Sequence, residues 1–163
     1  MKKLILLLLV PILSYSQISY KDIMSIKSVD MFKRVVIENG YEFDTEEEGW
    51  ISYGVNIVRY SNERNKSTKW AGYNKNNGEF SFQFVRRTIL GNLLGTEDDT
   101  SENPYDLIVG DIKNRCKYYK IINYKGIDYV TYSCTESTYK GKIGVVVSEG
   151  LGIIRHFPKT DKP

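Results

Sequence analysis

Apolar residues in "SVDMFKRVVIENG" recur every three to four positions, so that Val29, Phe32, Val35 and Val36 share one helical face. Ser28 supplies an N-cap, and Gly40 stands where a helix C-terminus favours glycine. Just upstream, Ser19 followed by Asp22 opens a shorter helical stretch, "SYKDIMSI". The chain therefore begins with a helix, a break and a helix. From Tyr41 the period drops to two. "YEFD", the acidic turn "TEEEG" and "WISYGVNIVRY" predict two strands, the second with Ile51, Tyr53, Val55 and Ile57 on one face and Trp50, Ser52, Gly54 and Asn56 on the other.

After a polar loop, "KWAGYNKNNGEFSFQFVRR" predicts a hairpin whose Asn77-Gly78 turn sets Lys75 opposite Phe80, Tyr73 opposite Phe82 and Ala71 opposite Phe84. Phe80, Phe82 and Phe84 then form a stripe continuous with Tyr73 and Ala71. The stripe reads as core, because "GEFSFQF" lacks the basic lead residue and the register of an RNA-stacking strand. The second half repeats the plan. "TILGNLLG" predicts a short helix and "TEDDTSEN" a break. Asn103-Pro104 then caps the helix "PYDLIVGDIKNRCKYY", with Ile108, Ile112 and Cys116 on one face. Strands "YKIINY", "IDYVTYSC", "KIGVVVS" and "LGIIRHF" follow, with Lys125-Gly126 and Glu149-Gly150 as turns.

The pattern predicts an α+β fold of two tandem αα-ββββ units, 17–87 and 88–158, with an antiparallel sheet, helices packed on one face and a tail at 159–163. Residues 1–16 read differently. Lys2 and Lys3, an apolar run from Leu4 to Leu13 and small residues near Ser16 make a cleavable secretory signal, since a spanning helix needs about 20 apolar residues. The abundance of Ile, Lys, Asn and Tyr fits an AT-rich bacterial genome, and the expected address is the periplasm or the exterior.

Loss of Lys2 and Lys3 lowers the net charge from +3 to about +1, which gives no electrostatic reason for nucleic-acid or anionic-lipid partners. Cys116 and Cys134, the two cysteines, are expected to pair in an oxidising compartment. Val130, Tyr132 and Cys134 share a strand face, beneath the helix that carries Cys116. One histidine and no CxxC leave too few ligands for zinc, and no cofactor is expected.

If the helices cover the Ile51 and Phe82 face, the other face carries Trp50, Asn56, Tyr60, Trp70, Asn74, Glu79, Ser81 and Gln83, joined by Ile122, Tyr124, Tyr129, Thr131 and Ser133. Tyr and Trp mixed with amides is a composition of binding surfaces. Trp50, Asn56, Tyr60, Trp70, Gln83, Tyr124 and Tyr129 are the candidate binding face.

Two successive helix-loop-helix plus four-strand patterns, from Ser19 to Phe157, resemble in their order the secreted β-lactamase inhibitor protein fold. That resemblance implies a protein partner held on the open face of the sheet, and carries over no individual residue.

Catalytic constructions are scarce. There is no G-x-S-x-G elbow and no glycine-rich phosphate loop, and the lone His156 reads as structural. Glu46 to Glu48, and Glu97, Asp98, Asp99 and Glu102, read as solvated turns because neither run has the spacing of a calcium loop. The sequence therefore points to a non-catalytic protein-binding module, inhibitor-like in plan. The alternatives are a small carboxylate-dependent hydrolase, a glycan-binding envelope protein, or a structural envelope subunit.

Overall fold

Ser19 Oγ accepts the Asp22 N–H at 3.3 Å, and the Asp22 carboxylate accepts the Ser19 N–H at 2.8 Å; this reciprocal cap opens α1 (Tyr20–Ser25). The computed structural model describes residues 17–59, 66–85 and 103–159. Ser28 caps α2 (Val29–Glu38) through the Met31 N–H, and Gly40 ends it by donating to the Ile37 carbonyl. Four strands follow: β1 (Glu42–Glu47), β2 (Trp50–Val55), β3 (Lys69–Asn74) and β4 (Phe80–Val85). Asn103 then caps α3 (Pro104–Arg115) through the Tyr105 N–H, with Pro104 in the first turn, where its missing donor costs nothing. The chain closes with β5 (Lys117–Tyr124), β6 (Ile127–Ser133), β7 (Gly141–Ser148) and β8 (Leu151–Pro158).

All eight strands belong to one antiparallel sheet in the order β1-β2-β3-β4-β8-β7-β6-β5. Each run of four is a local meander, and the two meanders meet where β4 pairs with β8. The outermost strands are β1, rich in Glu and Asp, and β5, which carries Lys117 and Lys120. The α+β class is as expected. The predicted helix "TILGNLLG", the polar break after it, the boundary at 87 and 88, and the leader 1–16 lie outside the described residues, as do 160–163 of the tail.

Three local expectations are corrected. The Asn77-Gly78 hairpin is not a two-residue turn: Tyr73 pairs with Phe80, Ala71 with Phe82 and Lys69 with Phe84. The turn is longer because Asn74 Oδ1 accepts the Asn76 N–H at 2.9 Å, and only Gly78 takes a positive φ, 74°. This register differs from the predicted one by two positions, so each side chain keeps its face. The acidic turn is also shorter than "TEEEG". Thr45 to Glu47 belong to β1, and Glu48-Gly49, at φ 50° and 82°, make the turn. Finally, β2 stops at Val55, because Asn56 enters the left-handed region at φ 55°. Ile57 is thereby thrown onto the opposite face, where its Cγ1 crowds the space beside Gly54.

The helices cover the face that holds Ile51, Tyr53, Ala71, Tyr73, Phe80, Phe82, Phe84, Ile143 and Ile154. Phe32 of α2 reaches into it, 5.3 Å from Tyr73 and 5.9 Å from Phe82 between ring centroids. The phenylalanine stripe is thus core, each buried ring contributing roughly 1.5–3 kcal/mol. One cluster includes residues of all three described helices and both meanders. Thr138, in the loop before β7, fastens that end by donating from N and Oγ1 to the Met24 carbonyl at 2.8 and 3.0 Å.

Cys116 and Cys134 form a disulfide with Cα atoms 4.5 Å apart. The helix ends at Arg115, so Cys116 is its C-cap rather than part of its apolar face. The bridge ties the end of α3 to the end of β6 across a separation of 18 residues, a loop worth about 3 kcal/mol in lost unfolded-state entropy.

Candidate binding groove

The face of the sheet turned away from the helices carries a groove of about 780 Å³. Its lining includes Asp44, Glu47 and Glu48 from the β1–β2 hairpin and Tyr124 and Lys125 from the β5–β6 turn. In a flat sheet β1 and β5 would stand roughly 34 Å apart, seven spacings of ~4.8 Å. The sheet must therefore curl strongly for both to border one groove. A second observation agrees: the Tyr124 ring lies 4.5 Å from the guanidinium of Arg155 and 5.9 Å from the ring of Phe157, although β5 and β8 are not neighbours.

Trp50 and Trp70 furnish the aromatic floor. They sit on adjacent strands, and each six-membered ring reaches over a glycine of the next strand. A methyl group at Gly72 would sit 3.4 Å from Trp50 Cε3, and one at Gly54 would sit 3.1 Å from Trp70 Cζ3. The small residue on each strand makes room for the indole of the other, and both indoles remain partly exposed. Ser81 and Gln83 of β4 place polar groups between Trp70 and Arg155, and Ser52 adds a hydroxyl beside Trp50 on β2. Glu47 pairs with Trp50 across the β1–β2 ladder and so shares its face, putting a carboxylate beside the indole.

The far side of the groove is stiffened by an ion pair between Arg155 and Glu79. Glu79 is buried, at 8 % side-chain exposure, and Arg155 is mostly covered, at 13 %. Arg155 also stacks against Tyr124, while Tyr129 lies 5.3 Å from Phe157.

The predicted outer-face residues are therefore distributed as follows. Trp50, Trp70, Gln83 and Tyr124 line the groove together. Tyr129 occupies the predicted face but is only 1 % exposed, because Phe157 and Arg155 cover it as the sheet curls; Thr131, Glu79 and Ser81 are likewise buried. Asn56 is exposed at the end of β2 and is not part of the groove lining. Tyr60 lies outside the described residues. Sequence reasoning passed over Arg155, placed Glu79 on the outer face by alternation without its buried partner, and read Glu47 as part of a solvated turn.

His156 is 3 % exposed and faces the other way, into the core, with ring centroids 4.8 Å from Phe80 and 4.6 Å from Tyr139. Its Nδ1 and Nε2 face the carbonyl oxygens of Gly78 and Lys140 at 3.0 and 3.1 Å. Burial lowers its pKa from the usual value, opposed by these carbonyls and by Glu79. The unfolded chain therefore takes up the proton at a higher pH than the folded one. His156 leaves stability undiminished above pH about 6.5 and lowers it progressively as pH falls below that value. Urea unfolding followed from pH 7.5 to 5 should show the decline, and His156→Gln should remove that part of the slope. An equal slope in the variant would assign it to other groups.

Among the described residues, no three His, Cys, Asp or Glu side chains are grouped to hold a metal ion, and no helix is long and apolar enough to cross a membrane. The acidic group Glu97, Asp98, Asp99 and Glu102 lies outside them. Set against protein families, curated proteins and solved structures, the chain matches no family model, no curated protein and no solved structure, and no catalytic family is identified.

Proposed function

We propose that this is a secreted or periplasmic protein that acts by binding, holding another protein in the groove on the uncovered face of its sheet. The observation that carries the reading is the pair of partly exposed indoles, Trp50 and Trp70, on one face of adjacent strands four ladder positions apart, in a groove that Gln83, Tyr124 and Arg155 also line. Aromatic area fixed on a rigid sheet, with amides and hydroxyls between the rings, suits recognition because little side-chain entropy is lost on contact. The export reading draws on the leader-like residues 1–16 and on the Cys116–Cys134 disulfide, which persists in oxidising compartments.

We read the chain as two similar αα-ββββ units, 17–87 and 88–158, joined through their fourth strands, β4 and β8, a reading supported by two helices and four strands in the first half and by one described helix and four strands in the second. That plan is the one by which the sequence resembles the β-lactamase inhibitor protein fold, and an inhibitor-like role follows from it by analogy of fold alone.

Retention of partners from the producing organism's envelope and culture fluid tests the reading. The immobilised chain from Gln17 onward should retain a protein that a Trp50→Ala/Trp70→Ala variant releases. Each indole is expected to contribute about 2 kcal/mol, a loss of roughly thirtyfold in affinity per ring. Unchanged retention by a folded double variant would remove the groove from the binding site. A second reading, glycan binding, is favoured by one specific feature: indole faces beside carboxylates and amides also suit a sugar ring. Retention of polysaccharide in place of protein would select it.

A further inference from the structure

We infer that the partner presents basic side chains, arginine or lysine, to the indole floor of the groove; this inference rests on the protein-binding reading above. The groove is electrically lopsided. On the indole side stand Glu47 and Glu48, with Glu47 directly across the ladder from Trp50. On the far side the Arg155 charge is matched by Glu79, which leaves Lys125 at the rim, near the ring of Tyr124. Neither Glu47 nor Glu48 makes an ion pair among the described residues. Glu47 and Glu48 therefore leave negative charge beside Trp50 that no ion pair among the described residues neutralises.

A cation entering there meets two attractions at once. The indole face draws it through the ring quadrupole, and the adjacent carboxylates draw it by Coulomb attraction. Both act in a recess partly shielded from water, where each is stronger than on an open surface. An acidic partner element would meet repulsion on the same side, so the groove discriminates by sign as well as by shape. The polarity also sets an orientation. A bound segment would direct its basic groups toward the β1–β2 hairpin and any acidic group toward Lys125.

The two tryptophans of the chain both line the groove, so tryptophan emission, excited at wavelengths where the tyrosines do not absorb, reports on this site. The probe is a capped Gly-Arg-Gly-Arg-Gly peptide, and its control is the same peptide with citrulline in place of arginine, which keeps the shape and removes the charge. The arginine peptide is expected to change the tryptophan emission saturably, with the citrulline peptide at least about tenfold weaker. Glu47→Gln/Glu48→Gln should weaken the arginine peptide about fivefold, read as the midpoint of the titration, and raising salt from about 50 to 500 mM should weaken binding to the unaltered protein. Equal binding of the two peptides, or equal binding to the glutamine variant, overturns the inference. So does a tetramer of N-acetylglucosamine that shifts the emission where the arginine peptide does not. The two proposals fail separately. A captured protein that Trp50→Ala/Trp70→Ala releases, but that Glu47→Gln/Glu48→Gln retains in full, leaves the binding reading standing and sinks the basic partner.

Discussion

Phe82→Ala is expected to lose about 4 kcal/mol of folding stability, within the range of roughly 3–5 kcal/mol for truncating a buried aromatic ring. Phe82 is fully buried, and on the ladder it stands between Ala71 of β3 and Ile154 of β8, at the junction of the two meanders. Its ring lies 5.9 Å from Phe32 of α2 and 6.1 Å from Phe80. Removing it would leave a cavity walled by strands from both meanders and by a helix, and such a site collapses poorly because backbone surrounds it. Urea unfolding of the variant measures the loss. A change below about 1 kcal/mol would contradict its place in the core.

Glu79→Ala should be nearly as damaging, for an electrostatic reason. Arg155 would keep its charge inside a recess bounded by Tyr124 and Tyr129 with its carboxylate partner gone. Breaking a buried pair from one side costs roughly 3–5 kcal/mol, whereas replacing both members by apolar residues of similar volume is often close to neutral. Glu79→Ala is therefore expected to be less stable than Glu79→Leu/Arg155→Met. Unfolding both variants under one set of conditions decides it. If the single variant is the more stable, Arg155 finds solvent when Glu79 is removed and the pair is not a buried one. Because Arg155 also borders the groove, the single variant should disturb the tryptophan emission as well.

How much of this was legible in the sequence depended on the range of the signal. The period-two alternation from Ile51 to Val55 and from Phe80 to Phe84 placed those residues on the core face without error, since alternation is a property of neighbours in the chain. Caps at Ser19, Ser28 and Asn103 were readable for the same reason. Turns were less secure. Asn77-Gly78 carries the dipeptide of a tight hairpin, yet the Asn74 side chain captures the Asn76 N–H and lengthens the turn. Asn56 similarly reversed the face of Ile57 through one left-handed residue, for which an exposed Asn gives only a weak signal.

Long-range features left no trace. Glu79 and Arg155 are 76 positions apart and meet because β4 and β8 are neighbours, an adjacency no local period encodes. Tyr129 was assigned to an exposed face because alternation names the face but not the curl, and the curl brings Phe157 over it. The same curl turns Trp50, Trp70 and Tyr124 from scattered surface rings into the lining of a single groove.

The two outermost strands bear opposite charge, and this governs how one copy of the molecule meets another. Glu42, Asp44, Glu46 and Glu47 lie along β1, whereas Lys117 and Lys120 lie along β5. Both edges retain backbone donors and acceptors that an incoming strand could use. In a symmetric dimer, the same edge of both copies would come together, setting carboxylate against carboxylate at β1 or ammonium against ammonium at β5. Symmetric pairing that continues the sheet is thereby opposed at each edge, whereas a head-to-tail approach of β1 to the β5 of another copy sets carboxylates against ammoniums and is favoured by charge.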